Sequence, residues 1–203
     1  MSVRRLKEDN GQIYFFTFTC YKWLPLFEST NFYDDIYKWF DFLSKKKMQI
    51  VGYVFMPNHI HCLIFVPEFA PTINKVIGEG KRFMSYELVS ALEENNKTEF
   101  LKLMVEGVTE KEKKKGIKHK VFEPSFDSKP CFTDKFIQQK LDYMHNNPVR
   151  GKWKLVELPE DYIHSSAKYY LTGEQGFYGV VDYRDCGIYA EEQNTSNGTI
   201  LNA

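Results

Sequence analysis

Met56-Pro57-Asn58-His59-Ile60-His61-Cys62-Leu63-Ile64-Phe65-Val66 is the stretch from which the fold can be read. Pro57-Asn58 is a turn pair between two apolar segments, residues 48–56 and 59–66, each of strand length. A two-residue connection leaves no room for a crossover, so the segments pair as an antiparallel hairpin. Side chains alternate along a strand, which puts His59, His61, Leu63 and Phe65 on one face and Ile60, Cys62, Ile64 and Val66 on the other. The two imidazoles then stand ~7 Å apart at Cα, on a strand otherwise made for burial. Two readings fit such a pair: histidines hydrogen-bonded at a strand end, or two ligands converging on one metal ion. The second reading needs a third donor from elsewhere in the chain.

Outward from the hairpin, residues 12–21 are β-branched and aromatic throughout and read as a buried strand. Phe32, Ile36, Trp39 or Phe40, and Leu43 recur at helical spacing over residues 29–44, with Ser29 or Thr30 available as N-cap and Lys45-Lys46-Lys47 at the favourable end. After the hairpin, Thr72 precedes a second helical stripe of Ile73, Val76 or Ile77, Phe83 or Met84, Leu88 and Leu92. Residues 93–118 are charge-rich and read as a solvated insertion or a helix extension. A strand is expected at residues 120–126. The succession strand, helix, strand, strand, helix, strand predicts an α+β fold: an antiparallel sheet in the split βαβ arrangement, with two helices on one face. Residues 1–170 are expected to form one domain, and residues 171–203, which lose periodicity, a partly disordered C-terminal tail.

Composition bounds the function classes. With 43% hydrophobic and 27% charged residues the chain reads as an ordinary globular protein. A formal net charge of zero argues against a protein that coats nucleic acid non-specifically, yet leaves room for a local basic patch. Aromatic residues reach 16%; most should be core, but flat bases also stack on exposed ones, so the content is compatible with a nucleic-acid binder. Cys20, Cys62, Cys131 and Cys186 form no CxxC pair and read as reduced thiols. The basic start, Met1-Ser2-Val3-Arg4-Arg5, lacks a following apolar stretch, and no segment is long enough to span a bilayer. A cytoplasmic protein with no membrane partner is the expectation.

A third helix is expected from Thr133 or Asp134 to Asn147, where Pro148 stops it. Ile137, Leu141 and Met144 form its apolar stripe. At ~100° per residue, Tyr143 and Asn147 share the adjacent border, one turn apart. A phenol there reaches either water or a site. The Asn147 amide oxygen is either part of a helix stop or a hard ligand for Mg²⁺ or Mn²⁺. His145 points away from this face and reads as surface.

The string Met56-Pro57-Asn58-His59-Ile60-His61 with its apolar run resembles the HUH motif of single-tyrosine transposases. Leu141-Asp142-Tyr143-Met144-His145-Asn146-Asn147-Pro148-Val149-Arg150 resembles the tyrosine helix of their REP-associated branch. Lys120-Val121-Phe122-Glu123, Leu158-Pro159-Glu160-Asp161-Tyr162 and Ser165-Ser166-Ala167 add further matches, and the resemblance covers residues 10–170. It implies a ferredoxin-like fold with the histidine strand at the sheet centre and Tyr143 on an additional helix. It also implies that Tyr143 attacks a phosphodiester of single-stranded or hairpin DNA, leaving a 5′-phosphotyrosine link and a free 3′-hydroxyl. His59, His61 and Asn147 would bind one Mg²⁺ or Mn²⁺. This branch carries Asn where related transposases carry Gln, and the chain agrees with the branch.

The implied activity is a metal-dependent DNA transesterase acting in transposition or repeat mobilisation, as a monomer or homodimer. Lys140, Arg150 and Lys152 flank the tyrosine and are candidates for phosphate contacts, or else solvated helix-end charges. A non-cleaving relative that binds hairpin DNA or RNA is the alternative. A hydrolytic metalloenzyme using both histidines and a carboxylate such as Asp127 is a third reading.

Overall fold

A computed structural model gives the fold for residues 11–124 and 126–187. The strands are β1 (Gln12–Thr19), β2 (Gln49–Met56), β3 (His59–Val66) and β4 (Asp127–Cys131). They form one antiparallel sheet in the order β2-β3-β1-β4, so the histidine strand is central. The helices are α1 (Leu26–Thr30), α2 (Tyr33–Lys45), α3 (Ile73–Glu94), α4 (Thr98–Glu106), α5 (Glu110–Lys113), α6 (Asp134–His145) and α7 (Ala167–Thr172). The chain is therefore mixed α+β, with helices packed on both faces of the sheet.

Alternation along β1 and β3 divides the core in two. Phe16, Phe18, Ile60, Cys62 and Ile64 point to one face and meet Ile36, Phe40, Met84 and Leu88 of α2 and α3. Phe15 and Leu63 point to the other and meet Ile137, Leu141 and Met144 of α6. Of the alternatives open in the sequence, Trp39 and Phe40 are both buried, as are Val76 and Ile77, whereas Met84 is buried and Phe83 exposed. The glycine at 52 permits the close approach of α6: a Cβ there would lie 2.8 Å from Leu141 Cδ2. Gly80 plays the same part on the opposite face, where a Cβ would meet the Trp39 ring at 2.6 Å.

Several expectations need correction. The fourth strand is Asp127–Cys131, not residues 120–126. Val121 and Phe122 are apolar because they plug the core beside Phe18 and Phe27, and Phe122 makes a single bridge to Cys20. The true strand carries almost no apolar signal, since it is an edge, and the edge is also why Pro130 is tolerated opposite Tyr14. The helix expected at 29–44 is two, broken at Asn31, which takes a left-handed φ of 51°. The charge-rich segment 93–118 contains α4 and α5, with Met104 buried and α5 closed by a Thr109–Glu112 capping box.

The domain edge expected at residue 170 is not where packing stops. His164, Ser165 and Ser166 lie along the free edge of β2, with Phe55 N–H donating to the His164 carbonyl (2.9 Å) and Ser166 N–H to the Tyr53 carbonyl (3.0 Å). Further on, Val180 is buried and Val181 N–H donates to the Ile50 carbonyl at 2.9 Å. This covers an edge that would otherwise offer unpaired groups to another chain. The expected tail beyond 187 and the basic start at Met1–Arg5 lie outside the described residues. Among the described residues no helix is long and apolar enough to cross a membrane.

Candidate functional site

Antiparallel register places Thr17 of β1 opposite His61 and Thr19 opposite His59. The Thr17 hydroxyl lies 2.6 Å from His61 Nδ1. His59 Nδ1 lies 2.7 Å from the Asn58 amide oxygen. Asn58 is fully buried, and its NH₂ donates to the Trp23 carbonyl at 2.9 Å, so its oxygen must face His59. His59 therefore carries its proton on Nδ1, which leaves Nε2 as a lone pair. The Thr17 hydroxyl can accept from His61 Nδ1 in the same way. His61 Nε2 is then the telling atom: it is buried and has no hydrogen-bond partner among the described residues. Buried polar atoms are rarely left so.

Both imidazoles are neutral at physiological pH. Burial pushes His59 down to about 4, with Lys152 adding to the effect. Burial, then the neighbouring His59 and Lys140, holds His61 well below the ordinary range. A neutral ring with a free lone pair is the form that ligates a metal.

Helix α6 brings the rest. Its N-cap Thr133 accepts from Phe136 N–H at 3.3 Å. Its stripe of Ile137, Leu141 and Met144 is buried as the spacing predicts. Tyr143 is 53% exposed at the border of that stripe. Its ring meets His61 edge to face with centroids 5.1 Å apart, and Phe15 at 6.4 Å. The Lys140 ammonium sits 4.6 Å from the Phe15 ring centroid and 5.9 Å from that of Tyr143. Asn147 was expected in the last helical turn. The helix ends at His145 instead, and Asn147 lies in the turn that follows, its NH₂ donating to the Tyr143 carbonyl at 2.8 Å.

His59, His61, Tyr143, Asn147, Lys140, Arg150 and Lys152 all line one open groove of about 520 Å³. Every candidate residue named from the sequence thus meets at one place. Thr17, Trp23 and Trp153 line it too and were missed. Only strand register and backbone path bring them in, and neither is written in a local pattern. Asp127 also lines the groove, but it pairs with Thr17, two strands from His61, and its carboxylate lies 3.2 Å from the Lys129 ammonium. No group of three His, Cys, Asp or Glu able to hold a metal occurs among the described residues. Asn147, whose amide oxygen is a hard donor, lines the same groove. Two neutral imidazoles, one with an orphaned nitrogen, and one amide oxygen form a donor set that fits a divalent cation.

His145 corrects the sequence reading. It is buried, with Nε2 2.9 Å from the Ser166 hydroxyl and its ring 5.5 Å from Tyr170, because the segment 162–170 covers the second side of α6.

No protein-family profile matches the sequence, and no characterised protein matches it significantly. Among solved structures, one described as the REP-associated tyrosine transposase bound to a REP hairpin is similar to this chain with a TM-score of 0.50. The identity is 18%, and the likeness spans 90% of this chain and 93% of the other. At that identity the likeness speaks for the fold.

Proposed function

We propose that the chain is a single-tyrosine HUH transposase of the REP-associated kind, a metal-dependent transesterase that cuts and rejoins single-stranded or hairpin DNA. The observation that carries this reading is the meeting of the Tyr143 ring with His61, whose Nε2 is buried and has no partner among the described residues. The succession of strands and helices, with sheet order β2-β3-β1-β4, supports the ferredoxin-like reading of the fold.

His59, His61 and Asn147 would hold Mg²⁺ or Mn²⁺, and the cation would supply charge withdrawal at a scissile phosphate. The Tyr143 hydroxyl loses its proton and its oxygen forms a bond to phosphorus, while the bond from phosphorus to the 3′-oxygen breaks. The departing 3′-oxygen takes up a proton, and the 5′-phosphate stays on the tyrosine. One ester replaces another, so rejoining needs no nucleotide cofactor. Asn58 keeps the His59 imidazole in one tautomer and orientation, and Thr17 orients that of His61. Lys140, Arg150 and Lys152 attract the phosphates of the strand.

The test incubates the protein with labelled hairpin DNA and Mn²⁺ and separates the products under denaturing conditions. Wild type forms a covalent adduct, and Tyr143→Phe forms none. An adduct that survives Tyr143→Phe overturns the nucleophile. Binding by wild type without any adduct would make the chain a non-cleaving DNA-binding protein.

A further inference from the structure

Trp23 stands at the rim of the His59–His61 groove in a backbone conformation that its side chain disfavours. Lys22 (φ 50°, ψ 26°) and Trp23 (φ 58°) are consecutive left-handed residues, a region natural to glycine and strained for a bulky side chain. The strain is held from both sides. Trp23 N–H donates to the Cys20 carbonyl (3.0 Å) and Leu24 N–H to that of Tyr21 (3.1 Å). Lys22 N–H donates to the Glu123 carboxylate (2.8 Å), and Asn58 donates to the Trp23 carbonyl. A strained residue that its surroundings over-determine points to a use for the side chain.

The side chain is not used for packing. The indole is 55% exposed, and the ring it meets is His59, at 5.6 Å and 70°. The other tryptophans are less open, although Trp153 lines the groove too, half-buried against the core on the α6 side of the sheet. Trp39 is buried between Phe16 and Phe18, and Trp153 has the Lys152 ammonium 5.0 Å from its ring centroid. The groove beside Trp23 is lined by three cations, Lys140, Arg150 and Lys152, against one carboxylate, Asp127, which already has Lys129. A surface that joins net positive charge to an open aromatic face suits a polyanion built from flat rings. Asn58, bonded to both the Trp23 carbonyl and His59, ties the backbone that carries the indole to the histidine pair.

We propose that Trp23 is a stacking platform for an unpaired nucleobase beside the scissile phosphate. The proposal rests on the reading of the groove as a single-strand DNA site. It adds the residue that holds the strand in place next to the reacting phosphate.

The test uses the full chain carrying Tyr143→Phe, so that DNA is bound and not cut. Anisotropy titrations measure its affinity for hairpins with a single-stranded flank in which each base in turn is made abasic. One abasic position weakens the parent about tenfold, the size of one base–aromatic stack. Trp23→Gly weakens binding of intact DNA by the same factor, and the abasic position then has no further effect. Trp23→Phe keeps part of the affinity. Trp23→Gly also raises Tm, because glycine accepts the left-handed backbone, whereas a packing role would lower it. An abasic profile unchanged by Trp23→Gly, or a lowered Tm, overturns the platform. If the parent binds none of these DNAs, the DNA reading itself falls and the platform with it. If parent and Trp23→Gly bind equally, only the platform falls.

Discussion

The ring of Tyr143 meets that of His61 edge to face, with centroids 5.1 Å apart and planes inclined by 70°. The two residues come from a helix and a strand 82 positions apart in the chain, and the groove exists because the helix docks on that face of the sheet. The docking, the proposed ligand set and the covering of the sheet edge each lead to a measurable expectation.

Metal binding should stabilise the folded chain. A cation held by the folded site and not by the unfolded chain stabilises the fold by mass action, by about 2.7 kcal/mol at a hundred times Kd, and so raises Tm. Mn²⁺ is therefore expected to raise the Tm of wild type and leave that of His61→Ala unmoved. Asn147→Ala should lower Mn²⁺ affinity with little loss of metal-free stability, since Asn147 is half-exposed. Asn58→Ala should lower affinity about tenfold or more through the orientation of His59. Calorimetric titration with Mn²⁺ checks all three, and equal affinity in His61→Ala would remove the histidine pair from the site.

Glycines 52 and 80 separate stability from activity. An added Cβ at 52 would lie 2.8 Å from Leu141, and one at 80 would lie 2.6 Å from Trp39. Overpacking of this kind costs about 1–3 kcal/mol. Both alanine variants should lose stability in urea. Only Gly52→Ala shifts the helix that carries Tyr143, so only it should slow adduct formation in the folded fraction. Equal adduct rates in the two folded variants would show that α6 tolerates the change.

Acid should unfold the chain through its buried histidines. Burial pushes His145 down to about 4, against an ordinary value near 6.5 in the unfolded chain. Above about 6.5 both states are neutral and nothing is lost. Between about 6.5 and 4 the unfolded chain takes up a proton that the folded chain refuses, so stability falls by about 1.4 kcal/mol per pH unit for each such histidine. His59 is lowered in the same way and adds a second slope over the same window. His145→Gln, which can still bond to Ser166, should remove about one proton from the pH dependence of the urea midpoint. An unchanged slope would mean that His145 is protonated in the fold.

Residues 172–187 should be needed for stability. Truncation after Leu171 removes the buried Val180 and the Val181–Ile50 hydrogen bond. It also frees Tyr53, whose hydroxyl donates to the Tyr178 carbonyl at 3.4 Å. The loss of one buried valine alone is worth about 1.5–3 kcal/mol. The truncated chain is expected to melt lower and to aggregate through the bared part of β2, as scattering during a thermal ramp would record.

Local periodicity carried most of the elements. The Pro57-Asn58 turn dictated the hairpin, alternation dictated that His59 and His61 share a face, and the Ile137, Leu141 and Met144 stripe dictated the buried side of α6. Each of these follows from backbone geometry within a few residues, so one chain segment suffices to show it. The fourth strand escaped because an edge strand needs no apolar face, and His145 was misread because the segment that buries it comes from residues 162–170.

The site itself divides along the same line. The sequence alone singled out the candidate side chains, His59, His61, Tyr143 and Asn147, with cations beside them. Only the tertiary structure decided that sheet and helix meet, that Thr17 and Asn58 orient the imidazoles, and that Trp23 stands strained at the rim. Register between β1 and β3 and the absence of a side chain at Gly52 make those decisions. They are properties of pairs of segments, and no periodicity within a single segment encodes them.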